Sequence, residues 1–243
     1  MRIVKVDAIA STNSYLKEYS RSTGLREDVL LWTEVQKKGR GQRNNYWESK
    51  PYQNLTFSIY KRASGFKASQ QFYITMAASL AVFELLQGLG LKRLSVKWPN
   101  DIMAGSRKIC GILIESVIKK SNLDAVIIGV GLNVNQTVFD HAPKATSVKL
   151  ETGTTSEIKE LLHMISPLLK KYVAFITAGE FDAIKTKYEE LLFRRGVPSV
   201  FEDVSGHSFM AIIDGVSPQG LLLLKKEDHT AMAYDIKKVK LLY

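Results

Sequence analysis

"DAVIIGVGLNVN" (residues 124–135) is a strand-length apolar run that ends in alternating glycines, aliphatics and asparagines. Side chains alternate across a strand, so Val130, Leu132 and Val134 share one face, and Gly129, Gly131, Asn133 and Asn135 share the other. The first face reads as core. The second lacks side chains at two successive positions, which leaves space for a ligand, another backbone or a bulky neighbouring side chain. Asn133 offers an amide at the edge of that space.

The segments around this strand repeat the pattern of short strands mixed with helices. "KICGILIESVI" (108–118) precedes it as a second strand, and "NLTFSIY" (54–60) alternates, with Leu55, Phe57 and Ile59 opposite Thr56, Ser58 and Tyr60. "RIVKV" and "VLLWTEV" read as strands near the start. "STNSYLKEYS" reads as a short helix that Ser11 or Thr12 caps. Residues 68–89 carry Phe72, Met76, Leu80 and Phe83 at helical spacing, and residues 156–192 hold two amphipathic helical patterns. After about residue 195 the texture changes to short strands with turns at Asp203–Gly206 and Ser217–Gly220. Adjacent strands joined by short connections predict an α+β fold: a mixed sheet with flanking helices over residues 1–194, then a small all-β domain over 195–243.

Two segments read as chemistry rather than core. "TEVQKKGRGQRNNYW" (33–47) has neither helical period nor strand alternation, so it reads as a loop in which glycines permit close backbone approach and arginines suit an anion. "SVKWPNDIMAGSRKICGIL" (95–113) places Asn100 and Asp101 at a strand-to-turn junction, with Lys97 before the turn and Lys108 after it. Alternation puts Lys108 on the side of Cys110, Ile112 and Ile114. A lysine on an apolar face needs an anion, here a ligand phosphate or carboxylate.

Composition narrows the classes. The chain has 243 residues, 45% hydrophobic, and a net charge of +10. That charge makes nucleotides, nucleic acid or acidic proteins plausible partners. A single cysteine excludes an internal disulfide and a zinc cluster. With no signal-peptide run and no long apolar window, no membrane association and a cytoplasmic location are expected.

Five segments together resemble the biotin protein ligases: "STN" near the start, "GRGQRNNYW", "KWPNDI", "RKICGILIE" and "GVGLNVN", in that order. "IIDGVSPQGLLLL" resembles the central hairpin of that family's terminal SH3-like β-barrel. The resemblance implies a fold like that of class II aminoacyl-tRNA synthetases. It implies an enzyme that makes an acyl-adenylate from biotin and ATP with Mg²⁺, releasing pyrophosphate, and then passes biotin to one lysine of a carboxylase's biotin carboxyl carrier domain. Ser11, Thr12, Asn13 and Gln36 would contact the biotin ureido ring, and Gly129 and Gly131 would floor its slot. Gly39 and Arg40 would approach the acid or phosphate end. Lys108 would bridge carboxylate and α-phosphate, with Arg40 the second catalytic group. Asn100, Asp101 and Asn133 would serve the nucleotide and metal side, with Arg43 on the phosphates and Trp47 over the adenine.

The chain departs from many relatives at Gln42, Asn44 and Asn45, where arginine or glycine is common, so retention of the adenylate is the property in question. "STN" begins at residue 11, which leaves no room for the helix-turn-helix that some relatives carry, so no sequence-specific DNA binding is expected. Some relatives pair sheet edge to sheet edge, which leaves a homodimer open. Lipoate ligases share the architecture, but their arginine pair, glycine run and His-Asp are not found. A non-catalytic nucleic-acid binder fits the charge, yet the basic residues are not gathered into one stripe.

Overall fold

In the computed structural model, which describes residues 1–42, 45–62, 67–119 and 122–243, the strand quoted above is the centre of the molecule. It forms β11 (Asn122–Asn133) and pairs antiparallel with β10 (Arg107–Lys119) on one side and β7 (Asn54–Arg62) on the other. Beyond β10 lie β9 (Asp101–Ala104) and β8 (Leu94–Lys97). Beyond β7 lie β3 (Val29–Thr33) and β1 (Arg2–Lys5). The seven-stranded sheet runs β1-β3-β7-β11-β10-β9-β8, antiparallel except for β1 against β3. It is the mixed sheet that the short connections predict.

The two faces of β11 explain the layers. Val126, Ile128, Val130 and Leu132 face the main core, where Leu55, Phe57 and Ile59 of β7 join them. This face is covered by α2 (Gln71–Gly88), which packs in turn against α4 (Ile158–Thr177) and α5 (Phe181–Glu190). Because α2 lies between the sheet and other helices, it is apolar nearly all round, and Tyr73, Met76, Leu80 and Leu86 are all buried.

The opposite face carries Ala125 and Ile127 in a second, smaller cluster with Val29, Leu31 and Tyr60, covered by Leu16 of α1 (Thr12–Thr23). Ser11 caps α1, and Gly24 ends it in the left-handed conformation at φ 61°. With twelve residues, α1 covers only part of this face. Gly129 lies under Asn13 in the first turn of α1 and Gly131 under Trp47, and there the face opens into the site.

The terminal strands are β12 (Ser199–Asp203), β13 (Ser208–Val216), β14 (Leu222–Lys225), β15 (Ala231–Tyr234) and β16 (Val239–Leu242). They form one antiparallel sheet in the order β15-β14-β13-β12-β16, with β15 and β16 at its edges, so no ring of hydrogen bonds closes. Phe201, Ile213, Val216, Leu222 and Val239 belong to the same buried cluster as Val96 and Tyr188. Trp98 Nε1 donates to Gly220 O at 2.9 Å, and Val216 N donates to the Glu189 carboxylate at 2.9 Å.

Candidate functional site

A cavity of about 400 Å³ opens over the glycine face. Its walls come from the N-terminus of α1, the segment 36–47, the β8–β9 turn, and the inner side of the terminal sheet at Ile213, Leu222 and Val239. The register brings Gly111 opposite Gly131 and Leu113 opposite Gly129, so two neighbouring strands are bare at adjacent positions.

Neighbouring side chains reach into the space that these glycines leave. A Cβ on Gly129 would collide with Asn13 Oδ1, and one on Gly131 with the Trp47 indole. The amide of Asn13 and the ring of Trp47 therefore lie flat on the sheet floor.

Three pieces of segment 33–47 are strand rather than loop. Val35–Gln36 (β4) pairs parallel with Ala8–Ile9 (β2), and Gly39–Arg40 (β5) pairs antiparallel with Tyr46–Trp47 (β6). The resulting small hairpin folds over the sheet and delivers Trp47. Strands of two residues carry no alternation for a sequence pattern to reveal. Gly39 does not line the cavity. A side chain there would strike the Trp47 carbonyl and come within 2.9 Å of Gln36 Nε2, so Gly39 serves the hairpin itself. Arg43 and Asn44 lie outside the described residues.

Lys108 departs from its expected face. The β9–β10 ladder shifts register between Lys108 and Cys110, a bulge that adds Ile109 to one strand. Ile109 and Cys110 are both fully buried. Lys108 is carried to the glycine side, its Nζ within 3.1 Å of where a Cβ on Gly111 would stand. The expectation that it shares a side with Cys110, Ile112 and Ile114 fails because strict alternation does not survive a bulge. The ammonium borders the cavity, and the anion beside it is a side chain of the protein itself. There it meets Asp101 Oδ1 at 2.6 Å and lies 5.5 Å from the Trp47 ring centroid.

Asp101 sits opposite Lys97 in the β8–β9 hairpin, which turns through a cis Trp98–Pro99 bond. Burial pulls the Lys97 ammonium below the usual lysine pKa. Asp101 opposes that shift, while Lys108 and Lys240 add to it. This corner is thus short of negative charge. Lys97 also lies 4.7 Å from the Tyr243 ring centroid, with Lys144 at 4.4 Å. Asn100 borders the cavity, but its amide donates to Ile112 O and its carbonyl accepts from Ile112 N, so it braces the turn. Asn133 lies behind the wall and donates to Thr146 O at 2.9 Å.

At the other end, a connected set of polar groups surrounds Gly129. Gln36 Oε1 accepts from Thr12 N at 2.9 Å and from Thr12 Oγ1 at 3.2 Å. The fully buried Ser58 hydroxyl bridges Thr12 Oγ1 at 2.7 Å and Asn13 Oδ1 at 2.5 Å. Asn13 Nδ2 donates to Glu115 Oε2 at 2.8 Å and to Leu113 O at 3.3 Å. Arg40 Nη2 meets the same Glu115 oxygen at 2.7 Å. Ser11 lines the cavity while capping α1.

Of the residues expected at the site, Ser11, Thr12, Asn13, Gln36, Arg40, Trp47, Asn100, Asp101, Lys108, Gly129 and Gly131 all border this one cavity. Gly39 and Asn133 do not. Ser58, Glu115 and the terminal-sheet residues were missed. Ser58 had a signal, since it shares the polar face of its strand with Thr56, whereas Glu115 had none, because strict alternation sets it on the side opposite Lys108. The terminal residues had none, because only tertiary packing brings them here. The one free cysteine, Cys110, is buried, and burial pushes its thiol pKa up, so it acts as a small hydrophobe.

Comparison with known proteins places this cavity in context. The chain matches the biotin/lipoate A/B protein ligase family over residues 6–133. It is 33% identical over 229 residues to the bifunctional ligase/repressor of Salmonella typhimurium, a match covering 93% of this chain and 70% of that protein. It is 28% identical to the biotin–[acetyl-CoA-carboxylase] ligase of Paracoccus denitrificans, over 83% of this chain and 86% of that one. The biotin protein ligase from Aquifex aeolicus, solved in complex with biotin and ATP, superposes with a TM-score of 0.83 at 24% identity, covering 99% and 98% of the two chains.

Proposed function

The chain belongs to the biotin/lipoate A/B protein ligase family, and from that premise we propose how its cavity carries out the work of a biotin protein ligase. The enzyme activates biotin with ATP to biotinyl-5′-AMP, releases pyrophosphate, and transfers biotin to a lysine of a carboxylase carrier domain. The observation that carries the assignment of ends is the polarity of the Gly129 corner. A carboxylate only accepts hydrogen bonds, so Glu115 fixes the Asn13 amino group toward itself. Asn13 Oδ1, over Gly129, accepts from the Ser58 hydroxyl and keeps a second lone pair for a ligand N–H. Gln36 Oε1 is held by Thr12, which leaves Gln36 Nε2 as a donor. One acceptor and one donor side by side match a ureido group, with its N–H and C=O. A dithiolane offers neither, so biotin is favoured over lipoate.

The other end suits the nucleotide. Trp47 Nε1 and Asn133 Oδ1 are buried without a partner among the described residues. Asn133 lies outside the cavity lining and is not assigned to the base, whereas the Trp47 ring borders the cavity and would stack on the purine. Lys97 and Lys108 supply positive charge where phosphates would lie. Lys240 lines the same cavity from the terminal sheet.

In the first half-reaction the biotin carboxylate oxygen attacks the α-phosphorus. The bond from that phosphorus to the bridging oxygen breaks, and pyrophosphate leaves. Lys108, between the two ends, stabilises charge on the α-phosphoryl oxygens, and the walls hold the reactants in line. In the second, the neutral acceptor lysine attacks the acyl carbon, the acyl–oxygen bond breaks, AMP leaves, and the nitrogen loses a proton to solvent. The hairpin bearing Trp47 keeps water from the mixed anhydride meanwhile.

Mg²⁺ fits the donor set in one way. Asp101 is the single carboxylate lining the cavity, and no cluster of three His, Cys, Asp or Glu occurs among the described residues. Mg²⁺ bound by one carboxylate and by substrate phosphates suits such a site and would neutralise phosphate charge. Arg43 remains proposed for the phosphates on its position in the sequence. Residues 195–243 are proposed as a domain of their own that supplies one wall. No described helix is long and apolar enough to cross a membrane.

The test is incorporation. With ATP, Mg²⁺ and biotin, an isolated biotin carboxyl carrier domain should gain one biotinyl group at one lysine by mass spectrometry. Gain of a lipoyl group instead would overturn the substrate, and no gain would overturn the transfer.

A further inference from the structure

Glu115, which orients Asn13 from behind the cavity lining, also contacts the hairpin. Glu115 lies in β10 on the glycine side, four residues from Gly111, and its side chain is only 18% exposed. Three side chains from two elements, α1 and the hairpin, meet on its carboxylate. Asn13 of α1 donates to Oε2 at 2.8 Å, Arg40 of the hairpin meets the same oxygen at 2.7 Å, and Lys17 stands 3.7 Å from Oε1. Asn13 touches the end of the cavity assigned to biotin. Arg40 belongs to the hairpin that carries Trp47 over the end assigned to nucleotide.

We propose that Glu115 is a positioning residue that ties the biotin-facing Asn13 to the closed hairpin, so that a correctly filled biotin end and a closed lid support each other. This rests on the reading of the cavity as a biotin and ATP site. The physical basis is that one partly buried carboxylate oxygen accepts from both the Asn13 amide and the Arg40 guanidinium, the latter in a charge-assisted bond, so the two groups are positioned through one side chain. The Arg40 side chain, 45% exposed, keeps a face toward the cavity while anchored. Without the anchor the hairpin opens more readily and the bound adenylate escapes before transfer.

Glu115→Gln and Glu115→Leu separate the two arms. A glutamine is of equal shape and keeps an oxygen for Asn13, but it loses the charge that holds Arg40. A leucine loses both. With adenylate preformed on the enzyme from biotin and ATP, its release is followed by chase with unlabelled biotin. Glu115→Gln is expected to release at least ten times faster than wild type, with the KM for biotin within twofold. Glu115→Leu is expected to add a tenfold or greater rise in that KM. Arg40→Ala, which also removes a group bordering the cavity, should release at least as fast as Glu115→Gln, and the double variant no faster than Arg40→Ala alone, because the second change cuts a link already lost.

Release from Glu115→Gln at the wild-type rate overturns the proposal, as do effects that multiply in the double variant. If the leucine variant fails to fold by thermal melting, the isosteric glutamine and its combination with Arg40→Ala still decide. A wild-type enzyme that forms no adenylate at all would sink the functional reading as well. Normal adenylate formation with unchanged release in Glu115→Gln sinks only the anchor.

Discussion

At the scale of single residues, the site depends on what is missing as much as on what is present. Gly129 allows the Asn13 amide to lie on the sheet, and Asn13 is held by Ser58, Glu115 and the Leu113 carbonyl, so it has nowhere to move. Adding one methyl group there forces it out of register with its partners. Gly129→Ala is therefore expected to weaken biotin binding at least about tenfold, roughly 1.4 kcal/mol, by isothermal titration, and to lower the melting temperature as well. Binding within twofold of wild type would mean that Asn13 does not set the biotin end. Alternation along "GVGLNVN" located this bare face from the sequence, and it held open the alternative that side chains would occupy it. Both readings contain part of the result: Asn13 and Trp47 cover the glycines, and they do so as walls of a cavity.

At the scale of elements, regular stretches were legible and irregular ones were not. The faces of β7 and β11 follow strict alternation, and each aliphatic assigned to the core is buried. Lys108 was placed on the wrong side because a bulge before Cys110 adds one residue, and no sequence pattern announces such an insertion. The hairpin β5–β6 escaped because each strand is two residues long. The attachment of the terminal sheet was equally hidden, since it rests on contacts more than twenty residues apart. Glu189 at the end of α5 accepts from Val216 N of β13 and pairs with Lys185 at 2.7 Å. Glu189→Ala leaves a buried N–H unsatisfied and should destabilise the protein by about 2 kcal/mol in urea unfolding. A midpoint equal to wild type would show that this joint carries little of the packing.

At the scale of the whole molecule, the excess charge has a location. The first 133 residues hold twenty Lys and Arg against ten Asp and Glu, while the remaining 110 are balanced at fourteen each. The positive surplus therefore belongs to the part of the chain that supplies the sheet floor, α1 and the hairpin, where an acidic carrier domain would approach. Complementary charge raises encounter rates and is screened by salt. Biotinylation of an acidic carrier is expected to slow several-fold between low and moderate ionic strength, while adenylate formation changes less; a salt-insensitive transfer rate would remove steering from the account. In the proposed mechanism one cavity joins a ureido-recognising end to a phosphate end through Lys108. The most direct test of this is pyrophosphate release from ATP and Mg²⁺ with biotin, with lipoate and with neither acid, for wild type and Lys108→Ala. Release that requires biotin and falls on the order of a hundredfold or more in Lys108→Ala is the predicted result, and release that ignores biotin, or that persists undiminished without Lys108, would contradict it.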